Sequence, residues 1–169
     1  MRVRYFLALL AGLATLAAFL LPSGGVAMAQ SSASGNVPSG RWIDANLSTA
    51  TVRAMEGNRV VYTALTTEGV PAHPTPTGHF TILRRVANET MDSATIGIPR
   101  NAPGGYYLTG VLYTQYFNNY GASLHYNYWS PDSAFGSQAG SHGCLGLRLA
   151  DAKFFWNFAT VGTPIYIHY

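Results

Sequence analysis

The sequence is short of several things, and each shortage excludes something. It has one cysteine, Cys144, so no disulfide can form within the chain. Its longest run of basic residues is Arg84-Arg85. Without a Lys/Arg cluster to track phosphates, nucleic acid is not an expected partner. Charged residues make up only 10% of the chain, while Tyr, Ser, Thr, Asn and Gly are plentiful. A weakly charged, aromatic-rich polar surface suits an exported β-rich domain that meets sugar or peptide polymers. Long apolar stretches are missing too, apart from residues 7–21, and that run falls short of the roughly 20 residues a membrane span needs.

That first run reads as an address. Arg2 and Arg4 supply a basic head, Pro22-Ser23-Gly24-Gly25 breaks the apolar stretch, and Ala27-Met28-Ala29 offers a small-x-small cleavage pattern. Residues 1–29 are therefore expected to be a signal peptide, cut after Ala29, with an uncleaved anchor as the alternative. No cysteine follows to carry a lipid, so the leader is the one expected membrane contact. Export places the protein in the periplasm, the cell wall or the medium. Taking 29 residues from 169 leaves 140, enough for one domain with a real core. Two arginines leave with the leader, so ten Lys and Arg against seven Asp and Glu become eight against seven, a net +1.

Residues 30–40 are rich in Ser, Gly, Asn and Pro and read as a flexible linker. From Arg41 the pattern is mostly strands. Ile43, Ala45 and Leu47 alternate with Asp44 and Asn46, which puts Trp42 on the polar side. A second strand runs through Ala50, Val52 and Ala54. Glu56-Gly57-Asn58 is a hairpin turn, and residues 59–67 are rich in β-branched side chains. Residues 69–78 carry three prolines and form a loop. Residues 80–86 alternate again, 87–105 read as irregular, 106–117 and 124–129 as strands, and 130–140 as a loop. Leu149, Ala152, Phe155, Trp156 and Ala159 recur at helical spacing until Gly162 and Pro164 end the helix. Residues 165–169 close with a strand. The sum is a mainly β domain over residues 41–169 with one C-terminal helix packed on a sheet, not a doubly wound α/β fold.

Chemistry concentrates at Ser141-His142-Gly143-Cys144. A lone exported thiol is either buried and inert or usefully reactive. It attacks only as thiolate, so it needs a base within reach, and His125 and His142 are the candidates. If residues 141–145 are extended, His142 and Cys144 share one strand face. The bare Gly143 amide, with that of Cys144, could then approach a substrate as an oxyanion hole.

These residues resemble the signature of the L,D-transpeptidases, the YkuD-like domain family: a histidine, a spacer of roughly fifteen residues, then Ser/Thr-His-Gly-Cys and a hydrophobic residue. The likeness extends to residues 43–67 as an opening strand and hairpin, to Pro74-Thr75-Pro76-Thr77-Gly78-His79-Phe80, to Ala150-Asp151-Ala152 before the aromatic helix, and to Gly162-Thr163-Pro164. The resemblance implies a YkuD-like β-sandwich or barrel-like domain. It implies Cys144 as nucleophile and His125 as general base, oriented by the Tyr126 carbonyl. It assigns substrate positioning to His142 and Ser141, and oxyanion binding to the Gly143 and Cys144 amides. Tyr106, Tyr107, Tyr126, Tyr128 and Trp129 are candidates for the groove. The implied reaction is cross-linking of peptidoglycan stem peptides, donor and acceptor, through a cysteine acyl-enzyme, open to carbapenem-type inhibitors and needing no cofactor. The chain departs from the family at Gly146, where Asn or Arg is usual; Arg148 is the candidate replacement for contact with a substrate carboxylate.

Three other readings stand beside this one. Water as acceptor would make an L,D-carboxypeptidase. A decayed site would leave a non-catalytic wall-binding module. His73, His79, His125, His142 and Cys144 are residue types that bind metal, but no pair has tight spacing on a helix and no carboxylate joins them, so a metal site is not expected. His73 is expected to be solvated, and His79 and His168 to be exposed on strands.

Overall fold

The alternation seen in the sequence builds two sheets around one core. The structure is a computed structural model that describes residues 39–137 and 139–169. The expected leader and most of the linker lie outside the described residues. The first sheet contains β1 (Arg41–Asn46), β2 (Thr51–Glu56), β3 (Arg59–Leu65), β5 (Gly78–Thr81) and β11 (Pro164–His168), in the order β3-β2-β1-β11-β5. The hairpin turn read at Glu56-Gly57-Asn58 joins β2 to β3, with Gly57 at φ 56°. The closing strand β11 lies parallel to β1, pairing Ile43 with Ile165 and Ala45 with Ile167. Chain start and chain end of the domain are thus locked side by side.

The second sheet holds β6 (Arg84–Asp92), β7 (Tyr107–Tyr116), β8 (Ser123–Tyr126) and β10 (Leu145–Leu147), in the order β10-β8-β7-β6. A small parallel ribbon joins β4 (Glu68–Gly69) to β9 (Ala139–Ser141). Ile43, Val52, Ile165 and Ile167 of the first sheet meet Leu124, Leu145 and Leu147 of the second in one buried cluster. The single α-helix among the described residues, α1 (Leu149–Phe158), adds Ala152, Phe155 and Phe158 to that cluster. It packs on β7 and β8 and reaches Tyr62 of β3, whose ring stacks on Phe154 at 3.9 Å. The mainly β architecture with a late helix matches the sequence reading.

Two local readings are corrected. Trp42 does not face solvent: it is 9% exposed, and its indole N–H donates to the Gly57 carbonyl at 2.8 Å. Asp44 beside it is also buried, held by His168 at 3.0 Å and facing Arg53 at 3.7 Å. Strand β1 sits between β2 and β11, and its polar face folds against its own neighbours, so alternation does not translate into exposure. Residues 87–92 are not irregular but continue β6 to Asp92. Asn88, Glu89 and Thr90 break the apolar period, so only pairing with β7 reveals the strand. A short 3-10 turn, Ser93–Ile96, follows, capped by the Asp92 side chain.

Candidate active site

Position 144 falls in the bend between β9 and β10, and β10 lies parallel to β8 with Leu145 opposite Leu124 and Gly146 opposite His125. That register brings Cys144 beside Ser123 and within reach of His125. The Ser123 hydroxyl lies 3.4 Å from the Cys144 sulfur. His125 is almost wholly buried, and its Nδ1 is 2.9 Å from the Tyr126 carbonyl oxygen. A carbonyl can only accept, so Nδ1 carries the proton and Nε2 is left as an acceptor. Trp129 stacks on the imidazole at 5.4 Å, with 24° between the ring planes, and fixes it from one side.

The electrostatics of the thiol follow from these contacts. Burial pushes the Cys144 thiol up, but a hydrogen bond and charge from His125, with the Ser123 hydroxyl and backbone N–H, outweigh it. The thiol is held below its usual value, so a nucleophilic thiolate forms more readily than at a free cysteine.

The segment before the cysteine is bent rather than extended, which corrects the shared-strand-face geometry for His142 and Cys144. Gly143 has φ 102°, and a Cβ there would press on the Pro74 carbonyl oxygen at 3.3 Å. Glycine is needed for both reasons. Ser141 ties the bend together: its hydroxyl donates to the Cys144 carbonyl at 2.7 Å and accepts the Gly143 N–H at 3.2 Å. His142 packs against Tyr106 at 5.2 Å and against His73 at 4.8 Å. Burial, then the neighbouring His73, lowers the His142 pKa and keeps its ring neutral near pH 7. His73 is exposed, as expected, but its ring also packs against His142.

Two clefts meet at Cys144. One, of about 330 Å³, is lined by His125, Trp129, His142, Ser141 and Leu108. The other, of about 750 Å³, is lined by Arg84, Glu89, Asp92, Tyr116 and Asn118. Met91 and Tyr106 form the wall that both share. Burial, then Cys144, pushes the Tyr106 hydroxyl up to about 12. Of the five aromatic groove candidates, Tyr106 and Trp129 line a cleft. Tyr107 is exposed under the Arg100 guanidinium, Tyr126 packs on the core, and Tyr128 donates to the Thr109 carbonyl.

Arg148 is not on the strand face of Gly146. Strand β10 ends at Leu147, and Arg148 is the residue before α1. Its guanidinium is bound by Asp132 and lies over the Phe135 ring at 4.6 Å. Gly146 itself is buried with no room beside it. A Cβ there would overlap Thr67 Oγ1 and come within 2.7 Å of Asn127 Nδ2. Asn127, Ser123 and Thr67 were missed in the sequence because no motif joins them.

A buried imidazole with a fixed tautomer lies beside a thiol of lowered pKa at the floor of two clefts, which makes this the candidate site for thiol chemistry on the two packed sheets. The L,D-transpeptidase catalytic domain model (YkuD) matches residues 40–167, and the chain belongs to that family. L,D-transpeptidase 1 of Mycobacterium tuberculosis is 36% identical over 121 residues, 72% of this chain and 47% of that protein. An L,D-transpeptidase structure from Mycobacterium smegmatis superposes with a TM-score of 0.71 at 32% identity, covering 75% of this chain and 58% of that one. An L,D-transpeptidase solved in complex with imipenem gives 0.72 at 33%, with the same coverage. The chain spans less than half the length of the curated relatives it matches.

Proposed function

We propose that the chain is a peptidoglycan L,D-transpeptidase working through a cysteine acyl-enzyme. The oriented His125–Cys144 pair at the meeting point of two clefts is the observation that supports this most. Cys144 passes its proton to His125 Nε2. The thiolate attacks the carbonyl of the third stem residue, at its L-centre. Amides of residues 143 and 144 receive the developing oxyanion; the Gly143 N–H does so by trading its bond to Ser141 Oγ. The C–N bond to the terminal D-amino acid breaks, and His125 returns the proton to the leaving amine. The side-chain amine of a diamino acid on a neighbouring stem then gives its proton to His125 and attacks the thioester. A C–N bond forms, the C–S bond breaks, and the thiol is regenerated. Each step is acyl transfer and draws on no redox or carrier group. Carbapenem-type β-lactams would acylate the same sulfur. Residues 1–29 would deliver the domain outside the cytoplasm, and an intact mass beginning at Gln30 on the secreted protein checks that step.

The test is LC-MS of the purified protein with tetrapeptide muropeptides, beside Cys144→Ala. Cross-linked dimers absent from the variant support the proposal. Tripeptide alone, also absent from the variant, would replace it with a carboxypeptidase. No product from a folded, reduced protein overturns it.

A further inference from the structure

The two clefts differ in a way that assigns the two halves of the substrate. The leaving amine must gain a proton from His125, and the incoming amine must lose one to the same imidazole. Microscopic reversibility therefore puts both amines on the His125 side of the thioester carbonyl. His125 lines the smaller cleft and not the larger one. The acyl portion of the donor is left with the larger cleft, which is lined by opposite charges.

The charged wall comes from β6 and its neighbour β7. Glu89, Thr90 and Met91 all line the larger cleft, although a regular strand would turn the middle residue away. The pairing of β6 with β7 shifts register between Glu89 and Met91, and such a bulge re-aims side chains. Glu89 is held firmly. One carboxylate oxygen accepts from the Thr90 N–H at 3.1 Å, and the other accepts from the Tyr116 hydroxyl at 3.0 Å and faces Arg84 at 3.5 Å. Burial first, then Glu89, pushes the Tyr116 hydroxyl up to about 12, so it remains a donor at any physiological pH. A carboxylate accepts about four hydrogen bonds, and Glu89 retains capacity on the oxygen bonded to Thr90. The Arg84 guanidinium lies over the Tyr116 ring at 4.0 Å, with most of its N–H groups unused by Glu89. A fixed anion and a fixed cation thus sit side by side in the wall of a cleft whose floor is Cys144.

We infer that this pair reads the free end of the donor's third residue, a side chain that ends in both an ammonium and a carboxylate. The ammonium pairs with Glu89 and the carboxylate with Arg84. The inference rests on the transpeptidase reading and adds donor specificity to it. Glu89 selects the donor and takes no part in proton transfer.

The test is the acylation half-reaction, followed by release of the terminal D-amino acid, in wild type and Glu89→Gln. Two tetrapeptide donors are compared, one with a diamino acid bearing that zwitterionic end at the third position and one with norleucine there. Alkylation of Cys144 by iodoacetamide, which has no charged end to recognise, reports the integrity of the site in each protein. The expected result is that Glu89→Gln loses on the order of tenfold in kcat/KM on the charged donor and little on norleucine, with alkylation unchanged. Equal loss on both donors, or no loss on either, overturns the inference while leaving the transpeptidase reading intact. A wild-type protein that is alkylated normally but acylated by neither donor overturns that reading, and the inference with it.

Discussion

Placing asparagine, one of the two residues expected at this point of the motif, at position 146 should damage this protein, and a second change should repair it. Gly146 is fixed on both sides of its peptide: Thr67 N–H donates to its carbonyl at 2.9 Å, and its own N–H donates to the Thr67 carbonyl at 3.0 Å. The backbone therefore cannot retreat from a new side chain. A Cβ would overlap the Thr67 hydroxyl and lie 2.9 Å from Asn127 Cβ, and both residues are buried. The space that a side chain at 146 would use is already filled by the Asn127 amide. That amide donates to Thr67 Oγ1 at 3.1 Å and Ser130 Oγ at 2.9 Å, and accepts from the Ser130 N–H at 3.1 Å.

These contacts set the size of the effect. Overpacking a dense site costs about 1–3 kcal/mol, and Gly146→Asn adds a polar group with nowhere to go, so a loss of about 3 kcal/mol is expected. Asn127→Ala strands Thr67 and Ser130 at about 1–3 kcal/mol. If the two side chains compete for one space, the double variant Gly146→Asn/Asn127→Ala loses less than the sum of the single ones. A coupling of roughly 1–3 kcal/mol is expected for residues in direct contact. Urea unfolding of the four proteins measures it. Additivity within about 0.5 kcal/mol would refute the exchange of positions.

The remaining predictions concern the thiol and its surroundings. The rate of Cys144 alkylation against pH should show a midpoint below that of a free thiol, because His125 and Ser123 outweigh burial. In His125→Ala burial is opposed only by the Ser123 hydroxyl and backbone N–H, so the midpoint should rise; a midpoint that stays put would remove His125 from the account. Arg148→Ala should leave donor KM within about twofold, since that guanidinium is committed to Asp132 and Phe135 and lines neither cleft. A large rise in KM would restore Arg148 as a substrate contact.

The legible parts of this protein are those that local chemistry fixes. The Glu56-Gly57-Asn58 turn and the helical spacing of Ala152 and Phe155 each state their conformation within a few residues. The bend at Gly143 was not legible, because residues 141–145 read equally well as a strand, and the positive φ shows only in the fold. Strand β6 was not legible beyond Val86: its outer face is polar, and what holds it is a ladder to β7 that no periodicity in Asn88, Glu89 and Thr90 announces.

Gly146 and Arg148 show the harder limit. In sequence the missing asparagine looks like a loss at the site, and the next arginine looks like its replacement. The fold puts the answer on β8 and the turn after it, where Asn127 follows the His125-Tyr126 pair and reaches across to Thr67 and the space beside Gly146. Parallel pairing of β8 with β10 makes residues about twenty apart into neighbours, and a pair that shares one volume can exchange a side chain for a hydrogen without emptying it. Tyr126, whose carbonyl orients His125, is the residue immediately before Asn127. The buried amide therefore anchors the very peptide that sets the tautomer of His125. A glycine in the motif is compatible with an intact thiol–imidazole pair because the Asn127 amide already fills the space beside it.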